Sequence, residues 1–164
     1  MNVNTLATAP RLPGAAQGAS STSEFQFKNL DNSNAEITIP AEALNKKRFR
    51  VIAYGRVTGG TTTNFTVKLF VGTALGAQLF TSGAIAVNST SGAWQIDVEC
   101  VLDSTGDKIV GYGNAAVNAA IAAQAVATAT ADPASALVFG ASGTFSASNA
   151  NNAAYMDGLE VEVL

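Results

Sequence analysis

The chain has 164 residues, a net charge of −3 and no histidine. That length buries a core without disulfides or metals, and the missing imidazole removes the commonest general base, the commonest metal ligand and every Ser-His or Cys-His dyad. Charged residues are only 13% of the chain, against roughly 25% in a typical soluble protein; no global field draws it to nucleic acid or an anionic membrane, so partners must be recognised locally.

Residues 1–23 are rich in Ala, Ser, Gly, Thr and Asn, with Pro10 and Pro13 interrupting any helix. They read as a flexible tail, or as an extended N-terminal arm that orders along a neighbouring subunit. Leu6, Arg11 and Leu12 are its candidate anchors. The segment has neither a basic leader nor a continuous apolar core, so no cleavable secretory signal is expected, and no stretch reaches the roughly 18 to 20 apolar residues of a spanning helix.

The folded domain is expected over 24–164. Phe25 and Phe27 share one side of a first short strand, and Asp31 to Asn34 form a turn cluster. Ile37 and Ile39 restart the alternation, Pro40 closes it, and Ala41 to Asn45 allow one helical turn. From Arg48 to Val71 the period-two pattern is at its clearest. Phe49, Val51, Ala53, Gly55 and Val57 take one face, opposite Arg48, Arg50, Ile52, Tyr54 and Arg56. Then Phe65, Val67, Leu69 and Val71 oppose Thr66, Lys68 and Phe70, with Gly59-Gly60 as a turn signal between the limbs. Shorter runs follow at Leu79-Phe80 and at Ile85 and Val87.

Trp94, Ile96, Val98, Cys100 and Leu102 define the core side of another strand, with Gln95, Asp97, Glu99 and Val101 on its wet side. Cys100 therefore reads as a small buried hydrophobe rather than a reactive thiol. DSTGD at 103–107 is a tight turn before the returning strand at Lys108 to Gly113. The alanine-rich stretch from Asn114 to Ala131 fits a loop and strand in an all-β setting, with a helix as the alternative because alanine favours it. Leu137 to Phe145 and Tyr155 to Leu164 complete the pattern. The fold class expected is all-β, a two-sheet antiparallel sandwich, jelly-roll-like, of about eight short strands.

Chemistry is sparse. Asp97/Glu99 and Glu160/Glu162 are i, i+2 carboxylate pairs on solvent faces, the ordinary way to keep a sheet soluble, so no catalytic residue is assigned and the chain is not expected to be an enzyme. Asp103 and Asp107 alone make a poor calcium site, and the glycines lack the strand-to-helix grammar of a phosphate loop, so neither metal nor cofactor is expected.

What remains is a surface. In a strict jelly roll consecutive strands often lie in opposite sheets, and Ile52 and Phe70 are then on different outer faces. If instead the two limbs of 48–71 pair directly, Ile52 lies beside Phe70 and Tyr54 beside Lys68. An outward Ile, Phe and Tyr among Arg48, Arg50 and Arg56 then resembles an interface more than bulk surface. The acidic strands with Asp97, Glu99, Glu160 and Glu162 are candidates for the complementary surface on another copy.

The stretches ITIPAEALNKKRFRVIAYGRVTG, TVKLFVGTALGAQLF, GAWQIDVECVLDSTGDKIVGYGNA and GLEVEVL resemble the jelly-roll domains of tailed-bacteriophage virion proteins. The resemblance covers about Phe25 to Leu164. It implies a structural virion protein, most similar to a capsid decoration (cement) protein on the outer capsid surface. Its implied partners are the major capsid protein and further copies of itself as a homotrimer, with no nucleic acid and no membrane. The alternative is a carbohydrate- or receptor-binding module of a head or tail fibre, for which Tyr54, Tyr112 and Tyr155 are the aromatic candidates, since Trp94 has core parity.

Overall fold

A computed structural model describes residues 4–8, 16–17, 21–60, 62–73, 75–87, 92–102, 106–118 and 120–164, without the side chains of 4–8 and 120–127. Among the described residues there are twelve strands and no helix. In chain order they are β1 (Asn4–Thr8), β2 (Phe25–Gln26), β3 (Glu36–Ile39), β4 (Phe49–Thr58), β5 (Asn64–Val71), β6 (Ala77–Thr81), β7 (Ile85–Ala86), β8 (Gly92–Leu102), β9 (Lys108–Val117), β10 (Ala120–Thr130), β11 (Leu137–Phe145) and β12 (Ala153–Val163). The strands form the expected antiparallel sandwich. One sheet runs β1-β12-β4-β8-β9-β10; the other is built on β11 and β5. Two of its edges are split, with β2 and β3 both on β11 and β6 and β7 both on β5, which is why there are more strands than the eight or so expected.

The apolar half of each alternating strand faces the space between the sheets. Phe49, Val51, Ala53 and Val57 of β4 meet Phe65, Val67, Leu69 and Val71 of β5 in one buried cluster. Aromatic rings link the layers: Phe27 stacks on Trp94 at 5.0 Å between centroids, and Phe49 meets Phe139 edge-on at 6.0 Å. Cys100 is fully buried, and burial, with a smaller push from Glu99, raises its thiol far above the ordinary range.

This layering corrects the expected pairing of Ile52 with Phe70. β4 pairs with β12 and β8, whereas β5 pairs with β11, β6 and β7 in the opposite sheet. Gly59-Gly60 is therefore a corner of the sandwich rather than a hairpin turn. Gly60 donates its N–H to the buried Asn152 side chain at 3.3 Å, and Asn152 in turn donates to the Ala147 carbonyl at 2.7 Å. Two apolar faces of this quality bury more surface by meeting across a core than by lying side by side in one sheet. Ile52 is half-buried between Glu160 and Asp97, and Phe70 is 6% exposed, opposite Gly140 on the other sheet.

Two local expectations also change. Pro40 to Lys47 is a run of turns rather than a helical turn, with Glu42 and Lys46 in left-handed conformation and Leu44 buried. The helix kept as an alternative for 114–131 is absent; the segment extends β9 and returns as β10, with the turn begun by Asn118 at φ 51°. Ladder pairing along β8 and β9 outweighs a helix preference of a few tenths of a kcal/mol per residue.

The arm lies on its own domain where it is described. β1 pairs antiparallel with the C-terminal half of β12, and Gln17 bridges Ala154 at the other end of the same strand. Of its candidate anchors, Leu6 sits in β1 with its side chain outside the description, and Arg11 and Leu12 lie outside the described residues, as does Asp103.

Candidate functional site: the outer face of the β4 sheet

Alternation sends Arg50, Ile52, Tyr54 and Arg56 of β4 away from the core, beside Gln95, Asp97 and Glu99 of β8 and Tyr112, Asn114 and Ala116 of β9. On β12 the count is broken by a bulge between Met156 and Gly158. The extra residue reverses parity, so Tyr155 and Asp157 share the outer face with Glu160 and Glu162 although they lie out of step with them in sequence. All three tyrosines of the chain thus lie on one side of one sheet.

The basic strip and the acidic strands expected to meet between subunits are neighbours within this sheet. Arg56 holds Asp157 with two parallel bonds, Nε to Oδ2 at 2.8 Å and Nη2 to Oδ1 at 2.9 Å. Arg50 grips Asp97 in the same forked manner, with Nε to Oδ1 at 2.6 Å, and Arg48 pairs with Glu99. The hydrogen bonds that Arg50 donates to Asp97 are the main reason its pKa is held above the ordinary value, and those that Arg56 donates to Asp157 do the same for Arg56. Since these pairs are partly exposed, each adds at most about 1 kcal/mol; their larger effect is to fix the orientation of the side chains.

Two glycines shape the face by what they lack. A Cβ on Gly55 would strike the Tyr155 carbonyl and the Trp94 indole nitrogen; its absence lets Trp94 Nε1 donate to that carbonyl at 3.0 Å. A Cβ on Gly158 would fall on the Tyr54 ring, whose hydroxyl lies 3.4 Å from Glu160 Oε1. Arg56 covers Tyr155, its guanidinium 4.6 Å from the ring centroid.

Two depressions result. One, of about 510 Å³, lies over Tyr54, Arg56, Trp94, Gln95, Ala116 and Asp157. The other, of about 340 Å³, is bounded by Arg50, Asp97, Glu99, Tyr112, Asn114 and Leu164. Both fall in the size range of ligand clefts. Among the described residues, no group of three or more Cys, Asp or Glu side chains is arranged to hold a metal ion.

Of the sequence candidates, Arg48, Arg50, Ile52, Tyr54 and Arg56 are gathered on this face, and Phe70 is on the other sheet. Sequence reasoning did not single out Asp157 or Asn114. Parity along β9 gives Asn114 from its spacing to Tyr112, but the bulge conceals Asp157.

No family model matches the chain, and no curated protein does. Among solved structures it is similar to the CBM2 module of Lactobacillus casei BL23 phage J-1 evolved Dit, at 7% identity over 98% of this chain and 96% of that one, with a TM-score of 0.45. Two double mutants of the alginate lyase Aly36B, in complex with an alginate trisaccharide and a tetrasaccharide, match at 9% and 10% identity over 98% of this chain and 97% and 96% of theirs, with TM-scores of 0.29 and 0.30. Likenesses this distant leave the functional argument to the geometry of the chain itself.

Proposed function

We propose that the outer face of the sheet containing β4, β8, β9 and β12 binds carbohydrate, and that the chain is a carbohydrate-binding β-sandwich module of a phage virion, on a head or tail fibre. The observation that carries this reading is the convergence of Tyr54, Tyr112 and Tyr155 on one face. Rigid aromatic rings beside fixed polar groups suit a ligand with alternating C–H and hydroxyl faces. The virion setting rests on the sequence resemblance to phage jelly-roll domains. The role is binding without catalysis, and no cofactor is invoked.

The capsid-cementing reading rests on the sequence resemblance, the low charge and the N-terminal arm, and the subunit contact expected beside it is a basic and apolar strip meeting acidic strands of another copy. Here Arg48, Arg50 and Arg56 already have carboxylate partners in their own sheet, and Phe70 is not beside Ile52. Purified protein applied to a glycan array and, separately, to expanded empty capsids separates the two. Glycan binding without capsid binding is expected. Capsid binding without glycan binding overturns the proposal and returns the chain to an outer-surface cement role, with the major capsid protein and a homotrimer as its partners.

A further inference from the structure

The three tyrosines are not equally free to receive a ligand. Arg56 lies over the Tyr155 ring, and Tyr54 is half-buried against Gly158 with its hydroxyl toward Glu160. Tyr112 is 51% exposed and borders the 340 Å³ depression. Resting on the carbohydrate reading above, we propose that the ligand is an uncharged glycan whose sugar ring stacks on Tyr112, and that acidic polysaccharides are excluded.

Neutrality follows from the charges around Tyr112. The arginine that borders this depression is engaged, Arg50 with Asp97 through two bonds, and beyond it Arg48 is paired with Glu99. Among the described residues on the outward side of these strands, Arg48, Arg50, Arg56 and Lys108 stand against Asp97, Glu99, Asp157, Glu160 and Glu162, one more carboxylate than cation. A uronate, sulfate or phosphate group placed beside Tyr112 would approach Asp97 and Glu99, and to gain a cation it would have to break a forked arginine pair. Hydroxyl groups face no such cost. They donate to the carboxylate oxygens that the arginines leave open, and both donate to and accept from the exposed Asn114 amide. Stacking supplies area while these groups supply orientation, the usual division of labour in a ligand cleft.

Affinity electrophoresis of the full chain tests this directly, through gels carrying neutral polysaccharides (galactan, glucan, mannan) or acidic ones (alginate, polygalacturonate, hyaluronan), at 20 mM and 500 mM salt. Retardation is expected in at least one neutral gel, unchanged by salt, and in no acidic gel. Tyr112→Ala should weaken it at least tenfold, while Tyr112→Phe, which keeps the ring, should retain most of it. A thermal melt of each variant confirms folding, which is expected because the side chain is half exposed. Retardation confined to acidic gels, or lost at high salt, overturns neutrality and leaves the carbohydrate reading standing. Neutral binding unaffected by Tyr112→Ala overturns the platform. No retardation in any gel, and none on the array, overturns both.

Discussion

The two outer faces of this sandwich differ in how their middles are covered. On the sheet of β4, β8, β9 and β12 the outward residues are long and paired with one another, leaving depressions between Tyr54, Tyr112 and the fixed arginines. On the opposite sheet the middle of β11 is buried on both sides: its outward Gly140 and Ser142 are inaccessible, with neighbouring side chains closing over them, while Val138 and Thr144 toward its ends are half-buried. Glu24 accepts from Ser142 Oγ at 2.6 Å and from Lys68 at 3.1 Å, and Gln26 bonds Glu36 across the same surface. Small residues under a local polar roof close the middle of one sheet; bulky residues tied in pairs leave the middle of the other accessible. A charged and aromatic sheet face is thus not simply a solvated one, because pairing geometry decides whether it can take a ligand.

The contrast can be broken most severely at the ring that joins the layers. Trp94→Ala removes the Phe27 stack and the hydrogen bond to the Tyr155 carbonyl, and should cost about 3–5 kcal/mol in urea denaturation. A loss below about 1 kcal/mol would mean the indole does not link the core to the open face.

A matched pair of glycine substitutions sharpens the comparison next. Gly158→Ala drives a methyl into the Tyr54 ring and should cost about 1–3 kcal/mol, and should lower glycan retardation less than Tyr112→Ala does, because Tyr54 borders the other depression of the same face. Gly140→Ala, on the opposite sheet, meets Glu36 Cγ and Gln26 Nε2 at 3.3 and 3.4 Å, side-chain atoms that need give only a few tenths of an ångström, so its stability should stay within about 1 kcal/mol of the parent and its binding should be unchanged. Equal effects on binding from both would show that the two faces are not functionally distinct. The smallest change comes from Asp157→Asn, which breaks a pair whose side chains are 51% and 27% exposed. It should lower stability by no more than about 1 kcal/mol, while the released Arg56 gives weak, salt-sensitive retardation in acidic gels.

Much of the open face was legible from alternation, and its assembly was not. Parity along β4 and β8 put Arg50, Tyr54 and Arg56 outward, and Trp94, Ile96 and Cys100 inward, as they are found. Parity failed along β12. Counting back from Val163, Val161 and Leu159 places Tyr155 and Asp157 on the core side, and the bulge at Met156/Gly158 reverses them. Nor could alternation reveal that Arg50 would find Asp97 in its own sheet, since residues 47 positions apart in the chain carry no local signal of adjacency.

By itself, then, the sequence determined which side chains of each uninterrupted strand face the core, because successive residues of an extended chain must point to opposite sides. It also determined that the surface would be poor in charge and the fold rich in short strands. Only the tertiary structure decided that β4 and β5 belong to opposite sheets, that alanine-rich 114–131 is a hairpin, and that three tyrosines share one face. Those outcomes depend on strand pairing and on a one-residue bulge, and both are settled by how much surface the sheets bury together rather than by any residue's local preference.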